Sequence, residues 1–491
     1  MVRLIPFLTY GARLGYAALM TVPLLILTGC TVGSDYQSPK PSLPAKFSEP
    51  AASGTLNNST SVPLDKWWTA FQDQSLDALM SEASSHAPNL AMADARIREA
   101  RALRRIANAD KYPTLDASGF YSRNHGSLNV PIGIPPGGLG PEQDSDLWDA
   151  GFDASWEIDV FGSIKRRVES ATAALQAELA ARQDIALSLF AEIARNYIEL
   201  RSLQRQLSII RDDLSVQSTT LSLVQAQFAA GLSSSRDVAS AKANVSSAEA
   251  LIPPLISDQH AAIYRIAVLI GRNPEDLLAE LSVSSSNQTV AAPDVPVGLP
   301  SDLLRRRPDI VVAERQLAAA TARIGAAKAD LYPHFYLTGL AGLESLNFGS
   351  LFNIASGYYD VGPGITWKVF DAGKIRAQVL AERARTDEAA AAYQTTVLNA
   401  LKEVETALVA YGQAKARHDS LASEIAADRT NLDLAHQLYD RGIEDFFPVL
   451  DAENNLDTAE YDLAASDRET DTSLIALYKS LGGGWEMTAQ K

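Results

Sequence analysis

Residues 200–228 read LRSLQRQLSIIRDDLSVQSTTLSLVQAQF, and this stretch decides the fold. Its apolar side chains recur at alternating spacings of three and four, as in a coiled-coil seam, and only Gln217 interrupts them: Leu200, Leu203, Leu207, Ile210, Leu214, Leu221, Val224 and Phe228. The seam lies within a run free of Gly and Pro, Ser163 to Ala230. One helix over that run is on the order of 100 Å long, more than a globular core or a bilayer requires.

The long run occurs twice in the chain. Lys374 to Arg441 has the same length and also lies between two glycines. Pairs of identical residues recur at an offset of 211, namely Trp156 and Trp367, Gly231 and Gly442, Val238 and Val449, and at 220, namely Pro88 and Pro308, Tyr112-Pro113 and Tyr332-Pro333. The chain is therefore an internal duplication. We expect a first repeat over 66–290, a second over 291–485 and a short tail over 486–491.

Composition excludes several classes of protein. The 491 residues are 46% apolar and 21% charged, which is typical of a structured chain. A formal charge of −16 argues against nucleic acid as a partner. The single cysteine excludes a disulfide framework and a thiolate metal cluster.

The first 29 residues have the layout of a signal peptide. Arg3 and Arg13 precede an apolar run from Tyr16 to Leu27, which is too short for a normal transmembrane span. The run ends in Leu27-Thr28-Gly29-Cys30, which resembles the lipobox of bacterial lipoproteins and implies cleavage before Cys30 and acylation of that residue. The alternative is an uncleaved anchor with an idle cysteine. Residues 30–65, rich in Pro, Ser and Asn, are predicted to form a lipidated, extended tether.

Four shorter helices flank the two long ones, and we predict them at Ser75–Asp110, Arg236–Ile270, Ser301–Leu331 and Phe446–Leu481. The first two short helices together have about the length of the first long helix, and the last two together have about the length of the second. We therefore expect each pair of short helices to stack end to end beside a long one. Pro253-Pro254 is expected to kink the second of them.

Two segments of each repeat change to the period of a β-strand. Apolar residues alternate with acidic ones from Trp148 to Val160, and similar alternation starts at Leu115, Phe335 and Tyr359. The strands are long enough for an outer membrane, and Trp148, Trp156 and Trp367 would form its aromatic rims. A soluble sheet with one apolar face is the alternative. Four strands cannot close a barrel, so a membrane barrel must be shared between chains.

Three blocks of sequence resemble the outer-membrane efflux lipoproteins of the TolC and OprM type, which include NodT-like proteins. These blocks are Trp67-Trp68 with Phe71, the run Leu299 to Ile310 with its Arg305-Arg306-Arg307-Pro308-Asp309 core, and Leu477 to Trp485. The resemblance implies a mainly α-helical fold with membrane β-structure: a trimeric twelve-strand outer-membrane β-barrel that continues into a twelve-helix periplasmic α-barrel. A mixed equatorial belt would surround the tunnel. The resemblance also implies a homotrimer whose partners are outer-membrane lipids, a periplasmic adaptor and an inner-membrane transporter of the RND type.

An enzymatic function is not supported by the motifs. The six histidines include no H-E-x-x-H pair, and the chain has no nucleophile elbow or phosphate-binding loop. His418 and His436 are interpreted as solvated or core residues of a long helix rather than metal ligands. We therefore expect neither a cofactor nor a metal.

Two functions of different classes fit the sequence. One is a passive export conduit for small molecules or drugs, and the other is a coiled-coil lipoprotein strut without transport. The paired amphipathic hairpins favour the conduit, because a strut held by acyl chains needs no membrane strands. The cargo stays open: metal ions or secreted proteins are alternatives to drugs.

Two turns and one helix start are the candidate working parts of the tunnel. The tips that would bind the adaptor are Gly231, Leu232, Ser233 and Ser234 in the first repeat, and Gly442, Ile443 and Glu444 in the second. In drug-efflux members of the family, the gate segment resembles L-x-x-L-D-A-x-R, which places the periplasmic gate at Phe447 and Asp451 here. Asn454 replaces the basic residue and cannot form an ionic lock. The alternative is that both are ordinary helix-start residues.

Overall fold

The computed structural model describes residues 31–48, 64–125, 144–282, 300–444 and 446–488. The signal peptide, Cys30 and the middle of the tether lie outside the described residues. Two long helices are present as predicted: α3, Ser163–Ala229, and α8, Lys374–Asp440, each of 67 residues.

The remaining helices are shorter and occupy both repeats. In chain order they are α1, Gln74–His86, α2, Pro88–Ala109, α4, Ser235–Ile270, α5, Leu278–Leu281, α6, Leu303–Arg306, α7, Pro308–Ala329 and α9, Phe447–Ser480. Single 3-10 turns at Leu64–Phe71, Pro274–Leu277, Pro300–Asp302 and Trp485–Thr488 accompany them. Among the described residues, no helix combines the length and apolarity needed to cross a membrane.

Two of the predicted helices were wrong in the same way. Ser75–Asp110 breaks at Ala87, and Ser301–Leu331 breaks at Arg307. Both residues have extended backbone angles, φ −59° and ψ 126° at Ala87 and φ −84° and ψ 114° at Arg307, and both precede a proline. The proline ring disfavours helical geometry in the residue before it. By contrast, α4 continues through Pro253 and Pro254.

The two predicted hairpins form one antiparallel sheet in the order β1-β2-β3-β4. The strands are β1, Thr114–His125, β2, Asp144–Ile158, β3, His334–Ser345 and β4, Gly357–Thr366. β2 and β3 join the hairpins along a register that pairs Trp148 with Ser345 and Ile158 with Phe335. Within the described residues, β1 and β4 each pair with one neighbour only. Alternate apolar residues of the sheet are exposed, among them Leu115, Phe152, Tyr359, Val361 and Ile365.

The chain forms two compact units, and each takes parts of both sequence repeats. One unit comprises the described residues 31–39, 99–125, 144–176 and 315–391 and holds the sheet. The other comprises the described residues 40–48, 64–98, 177–282, 300–314, 392–444 and 446–488 and holds the largest apolar core. In that core the ring of Trp67 stacks on Tyr478, with centroids 5.6 Å apart, and Trp68 packs against Phe190. The repeats are therefore intertwined rather than folded separately.

The first part of the predicted tether contacts the folded chain, which its composition did not indicate. Val32 donates its backbone N–H to the carbonyl of Phe161 at 3.0 Å. Arg166, whose side chain is 3% exposed, donates to Asp35 at 2.9 Å. In the larger unit, Leu43 and Phe47 pack against the apolar core. Scattered single apolar residues carry no periodicity, so sequence reasoning had no signal for these contacts.

Candidate channel entrance and membrane rim

Both long helices end in the same turn. Gly231 and Gly442 have φ of +74° and +68°, the left-handed region that favours glycine because it lacks a Cβ. The N–H of Leu232 donates to the Gln227 carbonyl at 2.8 Å, and the N–H of Ile443 donates to the Leu438 carbonyl at 3.0 Å. These bonds, with those of the glycine N–H groups, form two Schellman motifs. A glycine in the left-handed conformation therefore ends both long helices.

The residues after each glycine present exposed side chains. Leu232 is 80% exposed and Ile443 is 64% exposed. Glu444 is also exposed, and nothing near either glycine would meet an added Cβ. Ser233 is half-buried, because its hydroxyl donates to the Val224 carbonyl at 3.3 Å. The adaptor-contact role of these residues stays a prediction.

The start of α4 is held by a capping box. The backbone N–H of Asp237 donates to the Ser234 hydroxyl at 3.3 Å, and the Ser234 N–H donates to the Asp237 carboxylate at 2.7 Å. The backbone hydrogen bond from Ser234 lowers the pKa of Asp237. Ser234 is thus a capping residue as well as a candidate contact, and sequence reasoning had assigned it only the second role.

The candidate gate residues share one exposed face at the start of α9. Phe447 is 72% exposed and Asp451, one helical turn later, is exposed as well. The opposite face of this turn is buried, since Val449 and Ala452 pack with Ala435 of α8. Three such turns around a threefold axis would form an apolar ring beside an acidic ring, which stays a prediction.

Further along, α9 is joined to α8 by pairs of opposite charge. Arg429 binds Glu460 and Arg417 binds Glu469, each at 2.8 Å. The Nε2 atom of His418 lies 3.1 Å from Asp467, which Arg205 of α3 also binds. The His418 interpretation as a solvated or core residue missed this pairing. Among the described residues, no group of three or more His, Cys, Asp and Glu side chains is arranged to hold a metal ion.

A groove of about 1050 Å³, lined mostly by charged and hydroxyl-bearing residues, lies in the larger unit between α3, α8 and α9. Its charged lining is nearly balanced, with the basic side chains Arg195, Arg307, Lys402, Arg417, Arg468 and Lys479 and the acidic side chains Asp184, Glu199, Asp309, Glu403 and Glu469. Burial, then the neighbouring Asp309 charge, raises the pKa of Asp184. Small-molecule binding pockets are mostly apolar. This groove is therefore better suited to hold water than to bind an apolar ligand.

One arginine of the Arg-Arg-Arg-Pro-Asp block binds several elements at once. Arg307 is 7% exposed and contacts Asp309 through two N–H groups, at 2.6 and 3.0 Å. The Nη1 nitrogen donates to Glu403 of α8 at 2.7 Å and to the Ser480 carbonyl of α9 at 3.2 Å. Arg305, by contrast, has an 83% exposed side chain. The block thus fastens α7, α8 and α9 together through its third arginine.

The three blocks that carry the family resemblance meet in the larger unit. Trp485 donates its indole N–H to the Arg306 carbonyl at 3.1 Å. A Cβ on Gly484 would lie 2.8 Å from the Trp67 indole nitrogen, and one on Gly482 would lie 2.8 Å from the Arg306 carbonyl oxygen. Glycine is required at these positions because the blocks approach each other closely, so the sequence signature marks one packed junction.

Two of the three candidate rim tryptophans have equivalent partners in the two repeats. Trp156 donates to the Lys111 carbonyl at 2.9 Å, and Trp367 donates to the Leu331 carbonyl at 3.1 Å. Each acceptor directly precedes a Tyr-Pro pair. At the other end of β2, Trp148 packs on Tyr121, with ring centroids 4.3 Å apart. Aromatic residues thus occupy both ends of β2, as a membrane strand requires, and their rim role stays a prediction.

The match to known proteins covers nearly all of the chain. Residues 79–272 and 299–483 match the model of a family described as outer membrane efflux protein. The chain belongs to the outer membrane efflux protein family. This family member is 31% identical to nodulation protein T of Rhizobium leguminosarum bv. trifolii, over 95% of this chain and 97% of the relative. It is also 31% identical to the solvent efflux pump outer membrane protein SrpC of Pseudomonas putida, over 96% of this chain and 99% of that protein.

A solved structure carries the same fold. The outer-membrane channel OprN is 35% identical and superposes with a TM-score of 0.84, over 93% of this chain and 100% of OprN. The predicted fold class, mainly helical with membrane strands in an outer-membrane channel, is confirmed. This efflux protein is a transport component located in the outer membrane, with a periplasmic tunnel, and the predicted function is confirmed at that level.

Proposed function

We propose that this outer membrane efflux protein works as a homotrimeric, passive conduit. The observation that carries the proposal is the four-stranded sheet, whose two outer strands each lack a second neighbour among the described residues and whose apolar side chains are exposed. Unpaired strand edges are costly in a bilayer, and three copies of the sheet supply the twelve strands of a closed barrel. The cargo is driven by a partner, because a conduit has no energy source of its own.

A planar-bilayer measurement tests the proposal. The purified full-length protein should give stable single-channel steps, and crosslinking in detergent should give a trimer. A coiled-coil strut would give neither conductance nor membrane-spanning strands. Stable trimers without any conductance would therefore support the strut and contradict the conduit.

The partners in this proposal are a periplasmic adaptor at the exposed tips and an inner-membrane transporter of the RND class. The exposed Leu232 and Ile443 support the adaptor contact, because they offer apolar surface at equivalent turns of the two repeats, where a partner could bury it. SrpC is named as part of a solvent efflux pump, and we propose small organic molecules as cargo here too. Metal ions and secreted proteins are the alternatives.

The gate is proposed at Phe447 and Asp451, which share the exposed face at the start of α9. An acidic ring attracts cations, and a ring of phenylalanines resists wetting. The double substitution Phe447→Ala with Asp451→Ala should raise single-channel conductance and lower cation selectivity. Asn455→Ala, at an exposed position on the same helix, is the matched control. Unchanged conductance and selectivity in a well-folded double variant would make both residues ordinary helix-start features.

A further inference from the structure

The one polar residue in the coiled-coil seam of α3, Gln217, belongs to a buried polar cluster. Gln217 is 8% exposed, and its side-chain N–H donates to the Asp213 carboxylate at 2.7 Å. Asp213, one turn earlier on α3, is 9% exposed. From α9, the half-buried Asp457 lies within hydrogen-bonding reach of the Asp213 side chain, and Glu453, one turn before Asp457, has a side chain only 12% exposed. Two helices thus bring three carboxyl groups and an amide together in a site that is largely buried.

Two carboxylates cannot hydrogen-bond each other unless one carries a proton, because an ionised carboxyl group only accepts. The cluster is also short of donors elsewhere. The Gln217 Oε1 and Glu453 Oε2 atoms are both buried and have no hydrogen-bond partner among the described residues. An apolar residue at position 217 would continue the seam, whereas the amide supplies one donor to an acid-rich site. Protons are the donors that the cluster still lacks.

The charges around the cluster do not neutralise it. His436 of α8 lies 3.8 Å from Glu453 and is about half exposed. Glu460, the next acid on α9, is already bound by Arg429 of α8 at 2.8 Å. On α4, whose Leu255 packs with Ile210 of α3, the charged Lys242 and Glu249 side chains are exposed. On α3 itself the neighbours Arg211 and Asp212 are exposed.

Burial, and next the hydrogen bond and charge of Asp213, raises the pKa of Asp457 to about 8. Burial raises the pKa of Glu453 as well, and His436 partly offsets that increase. Asp457 therefore binds a proton in the folded protein over a range of pH where it would be ionised in the unfolded chain.

We propose that a proton on Asp457, directed at the Asp213 side chain, clamps α9 onto α3 close to the channel entrance. Asp457 lies ten residues after Phe447, about 15 Å along the helix. Loss of the proton leaves the half-buried Asp457 carboxylate beside the buried Asp213, and their repulsion loosens the first turns of α9. The clamp makes the entrance end of α9 pH-sensitive. The proton site rests on the contacts between α3 and α9, and only its link to a channel entrance rests on the proposed function.

The sign of the pH effect follows from the direction of the pKa shift. Because the pKa of Asp457 is raised on folding, its contribution to stability is fully present below the ordinary carboxyl range and is lost as pH rises through about 8. The clamp is therefore closed in mildly acidic solution and opens in mildly alkaline solution.

Amide hydrogen exchange on the full-length protein tests the clamp, with rates corrected for the intrinsic effect of pH. From about pH 6 to about pH 9, protection of residues 447–460 in the wild type should fall by about ten-fold or more, since one pKa unit corresponds to a ten-fold change in an equilibrium. Asp457→Asn keeps a donor toward Asp213 without a charge, so it should retain the low-pH protection throughout. Asp213→Asn should weaken the pH dependence without abolishing it, because burial, the largest cause of the raised pKa, still acts on Asp457.

Asp212→Asn is the matched control, because Asp212 adjoins Asp213 on α3 but is exposed. It should keep the wild-type pH dependence. The clamp is refuted if Asp457→Asn and Asp212→Asn show equal pH dependence, or if wild-type protection does not change with pH. Single-channel conductance of the same samples separates the two proposals. Amide exchange that depends on pH in a protein without conductance would contradict the conduit alone. Conductance together with amide exchange that does not depend on pH would contradict the clamp alone.

Discussion

Replacing Arg307 with Met removes the charge that fastens α7, α8 and α9 but keeps most of the side-chain volume. The substitution deletes two N–H contacts to Asp309, one to Glu403 and one to the Ser480 carbonyl. Breaking a buried ion pair by removing one partner costs about 3–5 kcal/mol. Asp309 and Glu403 are 28% and 49% exposed, so water will partly solvate them once the arginine is gone. We therefore expect a loss of about 2–4 kcal/mol in the free energy of unfolding.

Arg305→Met is the control for this prediction, because Arg305 belongs to the same block and makes one exposed ion pair with Asp302. It should cost about 0–1 kcal/mol. Arg307→Lys keeps the charge but cannot form the two-pronged contact with Asp309, so its loss should lie between the other two. Denaturant titration of the detergent-solubilised protein, followed by tryptophan fluorescence, measures all three. Equal losses for Arg305→Met and Arg307→Met would refute the buried-junction interpretation of the block.

Three further predictions can be checked separately. Cys30→Ser should impair delivery to the outer membrane more than trimer formation, since acyl chains on Cys30 contribute about 0.8 kcal/mol of membrane binding per buried CH₂. Mass spectrometry that finds an unmodified amino terminus at Cys30 would contradict this prediction. Photo-crosslinkers at Leu232 or Ile443 should capture a periplasmic partner in cells, whereas one at Tyr359 of β4 should not. Burial, then the Asp467 charge, raises the pKa of Asp471 to about 7. The contribution of protonated Asp471 to stability should therefore be lost as pH rises through about 7. Asp471→Asn should flatten that part of the plot of unfolding free energy against pH.

The sequence predicted the large periodic features and missed the contacts between short segments. Both long helices ended within one residue of their predicted bounds, because glycine in the left-handed region terminates a helix locally. The joining of β2 to β3 was not predicted, since a register between distant strands depends on tertiary packing. Nor could the block Arg305-Arg306-Arg307 reveal which arginine is buried, because the three side chains are chemically identical. The Asp213–Asp457 pair was likewise invisible, as it joins residues far apart in the chain.

The internal duplication explains why Arg307 is the buried arginine of the block Arg305-Arg306-Arg307. At the matching place in the first repeat, Ala87 also precedes a proline, and its backbone is extended for the same reason. In both repeats a glycine with positive φ follows a later helix and packs against the carbonyl of the residue before Ala87 or Arg307. A Cβ on Gly271 would lie 2.8 Å from the His86 carbonyl oxygen. A Cβ on Gly482 would lie 2.8 Å from the Arg306 carbonyl oxygen. Ala87 is 2% exposed and needs no partner.

The second repeat keeps this backbone junction but places a charged side chain within it. A buried guanidinium requires acceptors, and Asp309, Glu403 and the Ser480 carbonyl provide them from three helices. The same local rule that breaks the helix before Pro308 therefore also directs Arg307 into the interior. The two repeats share a fold because they share this junction, and they differ in polarity because only one of them buries an ion pair there.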